Sequence, residues 1–199
     1  MSKFKALNCL AIAGLAGAPA FAQDGADAPA PPPITAPCPA EGVFDDFDFW
    51  LGEWNVYAPG LDGQYAGMNV LTKVNGGCLI FEDWASVTGG GGDSMNFYDP
   101  LAGAWRQVWV SSGIVIDYTG GLDENGTMLL EGEIFYHNLP EENQRAPFRG
   151  MWTPQPDGTV IQHFQQQGAD GEWADWFIGH YIRIEDDPRA AEAAEARGE

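Results

Sequence analysis

Positive charge is scarce in this chain of 199 residues. Lysine and arginine together number 9, against 29 aspartates and glutamates, and the formal net charge is −20. A protein with this charge repels phosphate-rich surfaces, so the composition argues against nucleic acid and anionic lipid as partners. We therefore expect an acidic, well-solvated surface and no nucleic-acid partner.

Apolar runs long enough to span a membrane are also missing, since the stretch at residues 7–15 is far too short. Lys3 and Lys5 precede this stretch, and an A-x-A cleavage site that ends at Ala22 follows it. This order is typical of a secretory signal peptide, which we assign to residues 1–22. We expect cleavage after Ala22, export to a periplasm or beyond, and no stable membrane insertion. Loss of the two lysines would take the net charge from −20 to −22.

Cysteine is nearly absent, with 3 residues in the chain, of which Cys9 lies in the expected signal peptide. The even pair that remains, Cys38 and Cys78, predicts one structural disulfide in an oxidising compartment. A redox role would need a C-x-x-C or similar pairing, and the chain has none. No spacing of histidine, cysteine or aspartate resembles a metal site. We therefore expect no metal and no other cofactor, and surface or half-buried positions for the histidines, His137, His163 and His180.

Helical periodicity is missing until the C-terminal tail, and strand-like segments alternate instead with Asn-Gly, Asp-Gly and other turn signals. These turns separate about ten strands, which predicts an all-β, antiparallel, up-and-down barrel without exposed edges. The domain is expected at residues 44–185. An Ala/Pro-rich leader at 23–43 precedes it, and an acidic Ala/Glu-rich tail at 186–199, expected to fray, follows it.

Two-residue turns at Asp62-Gly63 and Asn75-Gly76 would place Val56 opposite Asn69 and Asn69 opposite Glu82. Because side chains alternate along a strand, this register predicts which residues share the inner face of the first three strands. These are Gly52, Trp54, Val56, Gly67, Asn69, Leu71, Ile80, Glu82 and Trp84.

The segment FDFWLGEWNV at 47–56 contains Gly52-Glu53-Trp54, which resembles the G-x-W signature of lipocalins and their calycin relatives. The chain is similar to an uncharacterised family of bacterial exported proteins with a lipocalin-like domain. The similarity runs through further stretches at 77–84, 94–99, 105–110, 152–154 and 177–183. It implies a calycin-like barrel with Arg183 packed over Trp54 as a structural pair beside Gly52. One departure is the strand count, because lipocalins have eight strands.

Several polar and aromatic residues on the predicted inner face are candidates for binding a small molecule. They are Asn69, Glu82, Trp84, Asn96, Tyr98, Trp105, Gln107 and Trp109. Glu82 is the sharpest of them, since a carboxyl group in an apolar barrel has its pKa raised by desolvation. It could act as a general base, as a counter-ion to a cationic ligand group, or as a structural acid bonded to Asn69, Gln107 or Arg149.

Three functions follow from these features. The first is a binding module that holds a small, partly aromatic or amphipathic ligand inside the barrel. The second is an enzyme that uses Glu82 as acid or base. The third is an interaction protein that forms a homodimer through an outward apolar face made by Phe81, Val87, Val108 and Val110.

Overall fold

The structure is a computed structural model, and it describes residues 37–59 and 63–199. The expected signal peptide, its cleavage site and most of the leader lie outside the described residues. Within the described part of the chain, no helix is long and apolar enough to cross a membrane.

Ten strands form one closed, all-antiparallel barrel in which each strand pairs with its neighbours in sequence and β1 pairs with β10. The predicted fold class, an up-and-down β-barrel of about ten strands, is confirmed, and the closed barrel is compatible with a calycin-like fold. The strands are β1 (Gly52–Ala58), β2 (Gln64–Val74), β3 (Leu79–Ser86), β4 (Gly91–Asp99), β5 (Ala104–Ser111), β6 (Ile114–Leu122), β7 (Met128–Tyr136), β8 (Arg145–Pro154), β9 (Val160–Gln167) and β10 (Trp173–Arg183).

The predicted register of the first two hairpins is wrong by two residues. Asn69 lies opposite Trp54 and Trp84, rather than opposite Val56 and Glu82. In the first hairpin, β1 ends at Ala58 and β2 begins at Gln64, so the connection exceeds a two-residue turn, and a bulge follows Val56. In the second, a 3-10 turn at Asn75–Gly77 lengthens the loop. An even shift keeps every side chain on its predicted face.

One end of the barrel is closed by the segment that precedes β1, which contains 3-10 turns at Gly42–Phe44 and Asp48–Trp50. Phe47 and Trp50 are fully buried and stack on each other with ring centroids 5.0 Å apart. The rings of Trp105 and Trp152 pack edge-on against Phe47. We call this segment, residues 42–50, the aromatic plug.

Polar contacts fasten the aromatic plug to the strands. Lys73 donates hydrogen bonds to Asp48 at 2.6 Å and to the carbonyl oxygen of Phe44 at 2.9 Å. The Trp105 indole donates to the carbonyl oxygen of Val43, and the Trp54 indole to that of Trp50. The predicted disulfide between Cys38 and Cys78 is present and links the chain before the aromatic plug to the loop before β3.

The C-terminal tail packs on the outside of the barrel, although we expected it to fray. A short 3-10 turn at Ile184–Asp186 leads to helix α1 (Ala190–Arg197). The Asp187 carboxylate is buried and accepts hydrogen bonds from Asn55 and Tyr57, each at 2.7 Å. The tail was not predicted to pack because its pattern of alanine and glutamate shows no apolar stripe. Polar contacts hold it together with Ala193, which is fully buried in a cluster with Tyr57 and Tyr65.

Candidate functional site

The half of the barrel opposite the aromatic plug contains a cavity of roughly 420 Å³ that is partly open to solvent. This volume falls within the range of small-molecule sites in proteins. Its mouth lies where β3 ends and β4 begins, near Ser86, Val87 and Thr88. The other lining residues are Ala58, Gln64, Tyr65, Ala66, Glu82, Trp84, Gln107, Trp109, Gln162, Phe164, Trp176, Phe177 and Tyr181.

Four aromatic rings of the cavity wall each lie against a glycine. An added β-carbon would lie 2.5 Å from the Trp109 ring at Gly92 and 2.7 Å from the Trp84 ring at Gly67. Gly150 gives the same close approach to Phe164, and Gly179 to Phe177. A ring can lie flat on a strand only where the backbone beneath it carries no side chain. The glycines therefore hold these rings back against the wall and leave the centre of the barrel open.

The floor of the cavity is a belt of hydrogen-bonded polar side chains that crosses the interior. Its members come from β2 to β6, β9 and β10. They are, in order along the belt, Tyr118, Gln107, Asn96, Ser94, Glu82, Asn69, Tyr181 and Gln162. We call this set the polar belt. All of its members are buried.

Glu82 occupies the middle of the polar belt and is 4% exposed. The Ser94 hydroxyl donates to its Oε2 atom at 2.5 Å, and the Asn69 amide donates to its Oε1 atom at 2.7 Å. Burial raises the pKa of Glu82 from 4.5 to about 7, and the two hydrogen bonds oppose this rise without cancelling it. The carboxyl group therefore changes charge in the neutral range, as few glutamates do.

This raised pKa predicts that Glu82 contributes more to the free energy of unfolding in mild acid than at neutral pH. The native state holds a proton on Glu82 between pH 4.5 and about 7, whereas an unfolded chain has already lost it. The contribution of Glu82 to the free energy of unfolding is fully present below pH 4.5. It is lost as the pH rises through about 7. It amounts to about 3 kcal/mol, and urea unfolding at several pH values would measure it.

The matched variant for this measurement is Glu82→Gln, which keeps the shape and cannot titrate. We expect the free energy of unfolding of wild type, relative to that of Glu82→Gln, to fall by about 3 kcal/mol from pH 4.5 to pH 8. Glu131→Gln removes a charge from an exposed residue of β7 that is not among the groups shifting the pKa of Glu82, and it should leave the profile unchanged. A constant difference between wild type and Glu82→Gln would contradict the prediction.

The eight predicted ligand-binding residues separate into three groups in the structure. Glu82, Trp84, Gln107 and Trp109 line the cavity. Asn69 and Asn96 belong to the polar belt but do not line the cavity. The remaining two, Tyr98 and Trp105, lie at the closed end, where they contact Phe44 and Phe47 of the aromatic plug.

Other lining residues were not named as candidates, although the sequence carried a signal for four of them. Gln162, Phe164, Phe177 and Tyr181 alternate on the inner face of the last hairpin, where the Asp-Gly turn predicts the observed pairing. Trp176 had no such signal, because alternation placed it on the outer face. A bulge between Asp175 and Phe177 turns its ring toward the mouth, where it packs on Phe148 and Phe164.

The three residues predicted to be structural lie together beside the aromatic plug. The Arg183 guanidinium stacks 4.3 Å above the Trp54 ring and donates to the carbonyl oxygen of Leu51 at 3.0 Å. Gly52 has a φ of 126°, and a β-carbon there would lie 2.4 Å from the guanidinium. Glycine therefore meets both a backbone requirement and a spatial one at this position.

Two further expectations concern Arg149 and the histidines. Arg149 lies against Gln165 and the Trp173 ring, and its guanidinium is no partner of Glu82. His180 points outward as its register predicts, yet it is 4% exposed, because the C-terminal tail covers it. Among the described residues, no group of three histidine, cysteine, aspartate or glutamate side chains is placed to hold a metal ion.

The chain matches no known protein-family model and no curated protein sequence.

Proposed function

We propose that this protein is exported and binds a small, partly aromatic or amphipathic molecule in the open half of its barrel. The observation that carries the proposal is the division of the interior into an aromatic plug, a polar belt and an aromatic-walled cavity. A barrel interior used only as a core would be filled along its whole length. Here four rings are held against glycines, so the space between them stays open.

Three polar groups of the cavity floor support recognition of a ligand with at least one polar group. The Glu82 carboxyl, the Gln107 amide and the Gln162 amide all line the cavity. Gln162 accepts a hydrogen bond from Tyr181 through Oε1, and its Nε2 atom bonds to none of the described residues. A small number of polar groups at fixed positions in an otherwise apolar pocket is typical of sites that orient a small ligand.

Export and membership of the bacterial exported family remain proposals. The Cys38–Cys78 disulfide supports export, because such bonds persist mainly outside a reducing cytosol. The A-x-A site that ends at Ala22 supports it from the sequence. The barrel itself supports the resemblance to lipocalin-like domains at the level of fold.

Gly92→Ala tests the proposed site without changing any group that touches the ligand. The new methyl group would lie 2.5 Å from the Trp109 ring, which must move and reshape the cavity wall. We expect the affinity for 2-phenylethanol, a small neutral aromatic probe, to fall about tenfold or more, as measured by isothermal titration calorimetry.

The control is Gly121→Ala on β6, where an added β-carbon meets nothing within 4 Å. This variant should bind 2-phenylethanol as wild type does. Equal affinity in wild type and Gly92→Ala would place the binding site elsewhere, and failure of wild type to bind small aromatic probes of any charge would contradict the proposed function.

The enzyme hypothesis concerns the same carboxyl group, since Glu82 lies in the cavity with a pKa near 7. In that case, Glu82→Gln should abolish turnover and leave binding intact. The homodimer hypothesis concerns the predicted outward face, of which Phe81, Val87 and Val110 are 38%, 43% and 50% exposed, whereas Val108 is half-buried. It stays a prediction that light scattering would test.

A further inference from the structure

We propose that the cavity takes a small organic cation, an amine with an aromatic or apolar body, and that the Glu82 carboxylate is its counter-ion. This inference rests on the ligand-binding function proposed above and names the chemical class of the ligand. It is argued from the partners of Glu82, the direction of the hydrogen bonds that reach it, and the walls around it.

Glu82 is a buried carboxyl group with no cationic partner among the described residues. None of the ion pairs in the described part of the chain includes it. No described lysine, arginine or histidine lines the cavity. Buried carboxylates are normally paired with a cation, because hydrogen bonds alone seldom repay the loss of hydration. A cationic ligand would supply the partner.

The hydrogen bonds of the polar belt converge on Glu82 from one side. Tyr118 donates to Gln107, Gln107 donates to Asn96, Asn96 donates to Ser94, and Ser94 donates to Glu82. Every hydrogen bond in this series is donated in the direction of the Glu82 carboxyl group. Because each bond polarises the next, the series favours a negative charge on Glu82. The belt is therefore organised to receive an ionised carboxylate.

Acceptor capacity remains on Glu82 after these contacts. A carboxylate accepts about four hydrogen bonds, and Asn69 and Ser94 supply one to each oxygen. Since Glu82 also lines the cavity, the N–H groups of an ammonium ion can reach the remaining lone pairs. Such charge-assisted bonds are stronger than neutral ones.

The cavity walls suit the rest of such a ligand. The rings of Trp84 and Phe177 pack edge to face at 6.4 Å, and Trp109 lines the same cavity. Tryptophan is the best of the aromatic residues at attracting a cation to its ring face. The formal charge of −20 also raises the concentration of cations around the protein as a whole.

The titratable groups around Glu82 define how binding should depend on pH. Tyr118 and Tyr181 face it inside the barrel, and burial together with the nearby carboxylate raises the pKa of both tyrosines. Asp83 and Asp93 lie on the outer face and add repulsion. Every one of these groups is neutral or negative at neutral pH, so Glu82 is the group whose charge changes there.

The experiment compares three probes of one shape by calorimetry at about pH 8: 2-phenylethylamine, 2-phenylethanol and 3-phenylpropionate. The amine is protonated at this pH, as lysine is. We expect wild type to bind the amine about ten to a hundred times more tightly than the alcohol, with the carboxylate weakest. We expect Glu82→Gln to bind the amine and the alcohol within about threefold of each other.

Asp83→Asn is the matched control, because it removes one negative charge from the neighbouring residue outside the cavity and should keep the preference for the amine. A wild-type titration at about pH 5.5 gives a second test that needs no variant. There the preference should shrink at least fivefold, because protonation of Glu82 removes the counter-ion while the alcohol is unaffected.

The outcomes separate this inference from the proposed function. If wild type binds the alcohol as tightly as the amine, the cavity binds ligands and the cation inference is wrong. A preference for the amine that survives in Glu82→Gln also overturns the inference, since Glu82 is then not the counter-ion. If no probe binds to wild type, both the inference and the proposed function fail.

Discussion

Replacing Phe47 with alanine is expected to lower the free energy of unfolding by about 3–5 kcal/mol. Phe47 is fully buried at the centre of the aromatic plug and contacts Trp50, Trp105 and Trp152. These neighbours belong to different parts of the chain and cannot collapse together into the space that the ring leaves. The loss of burial and the residual cavity therefore add to each other. Urea unfolding at a fixed pH would measure the change.

Phe81→Ala is the matched control for Phe47→Ala. It removes the same ring from the outer wall, where Phe81 is 38% exposed. We expect a smaller change, of about 1 kcal/mol, because 38% of the Phe81 surface is already in water and solvent can fill the space that the ring leaves. Similar effects of the two substitutions would contradict the larger contribution expected of Phe47.

Reduction of the Cys38–Cys78 disulfide is expected to cost about 4 kcal/mol of stability, according to the chain-entropy relation. The bond closes a loop with a sequence separation of 40 residues, which contains the aromatic plug and the first two strands. Without the disulfide, the unfolded chain gains conformational entropy that the folded chain does not gain. Unfolding in urea with and without a reductant would show the difference as a lower midpoint.

The double variant Cys38→Ser, Cys78→Ser separates this effect from other actions of the reductant. It should unfold at the midpoint of the reduced wild type, and adding reductant should not change it. A midpoint close to that of the oxidised wild type would mean that the aromatic plug and its contacts to Lys73 hold this segment unaided.

The barrel could be predicted from the sequence because its turns and its alternation are both local signals. Glycine, asparagine and aspartate mark the turns, and the period of two fixes the faces. The predicted register was wrong at β1 to β3 because loop length depends on backbone detail. Gly76 and Gly77, with φ of 66° and 85°, turn the chain through a longer loop than the predicted one.

The position of the site along the barrel axis could be predicted only in part. Alternation shows that Tyr98, Trp105 and Trp109 share a face, yet it does not show which end of the barrel is closed. The aromatic plug decides this, and the segment before β1 carries no pattern of its own that indicates where it packs. The contact between Glu82 and Asn69 was among the predicted possibilities, whereas the polar belt as a whole was not predicted. Its members on β2 to β6 lie on neighbouring strands, and the link from Asn69 to Tyr181 joins β2 to β10 and forms only when the barrel closes.

Because aromatic rings pack against glycines, one set of residues determines the size of the cavity and another set determines its chemical character. The aromatic groups that line the cavity belong to Trp84, Trp109 and Phe177, whereas the room between them is set by glycines such as Gly92 and Gly179. A single methyl group at either glycine displaces the ring beside it and changes the space, while every lining side chain keeps its chemical identity. Selection can therefore adjust which ligand sizes are admitted in small steps, without first giving up the interactions that hold a ligand.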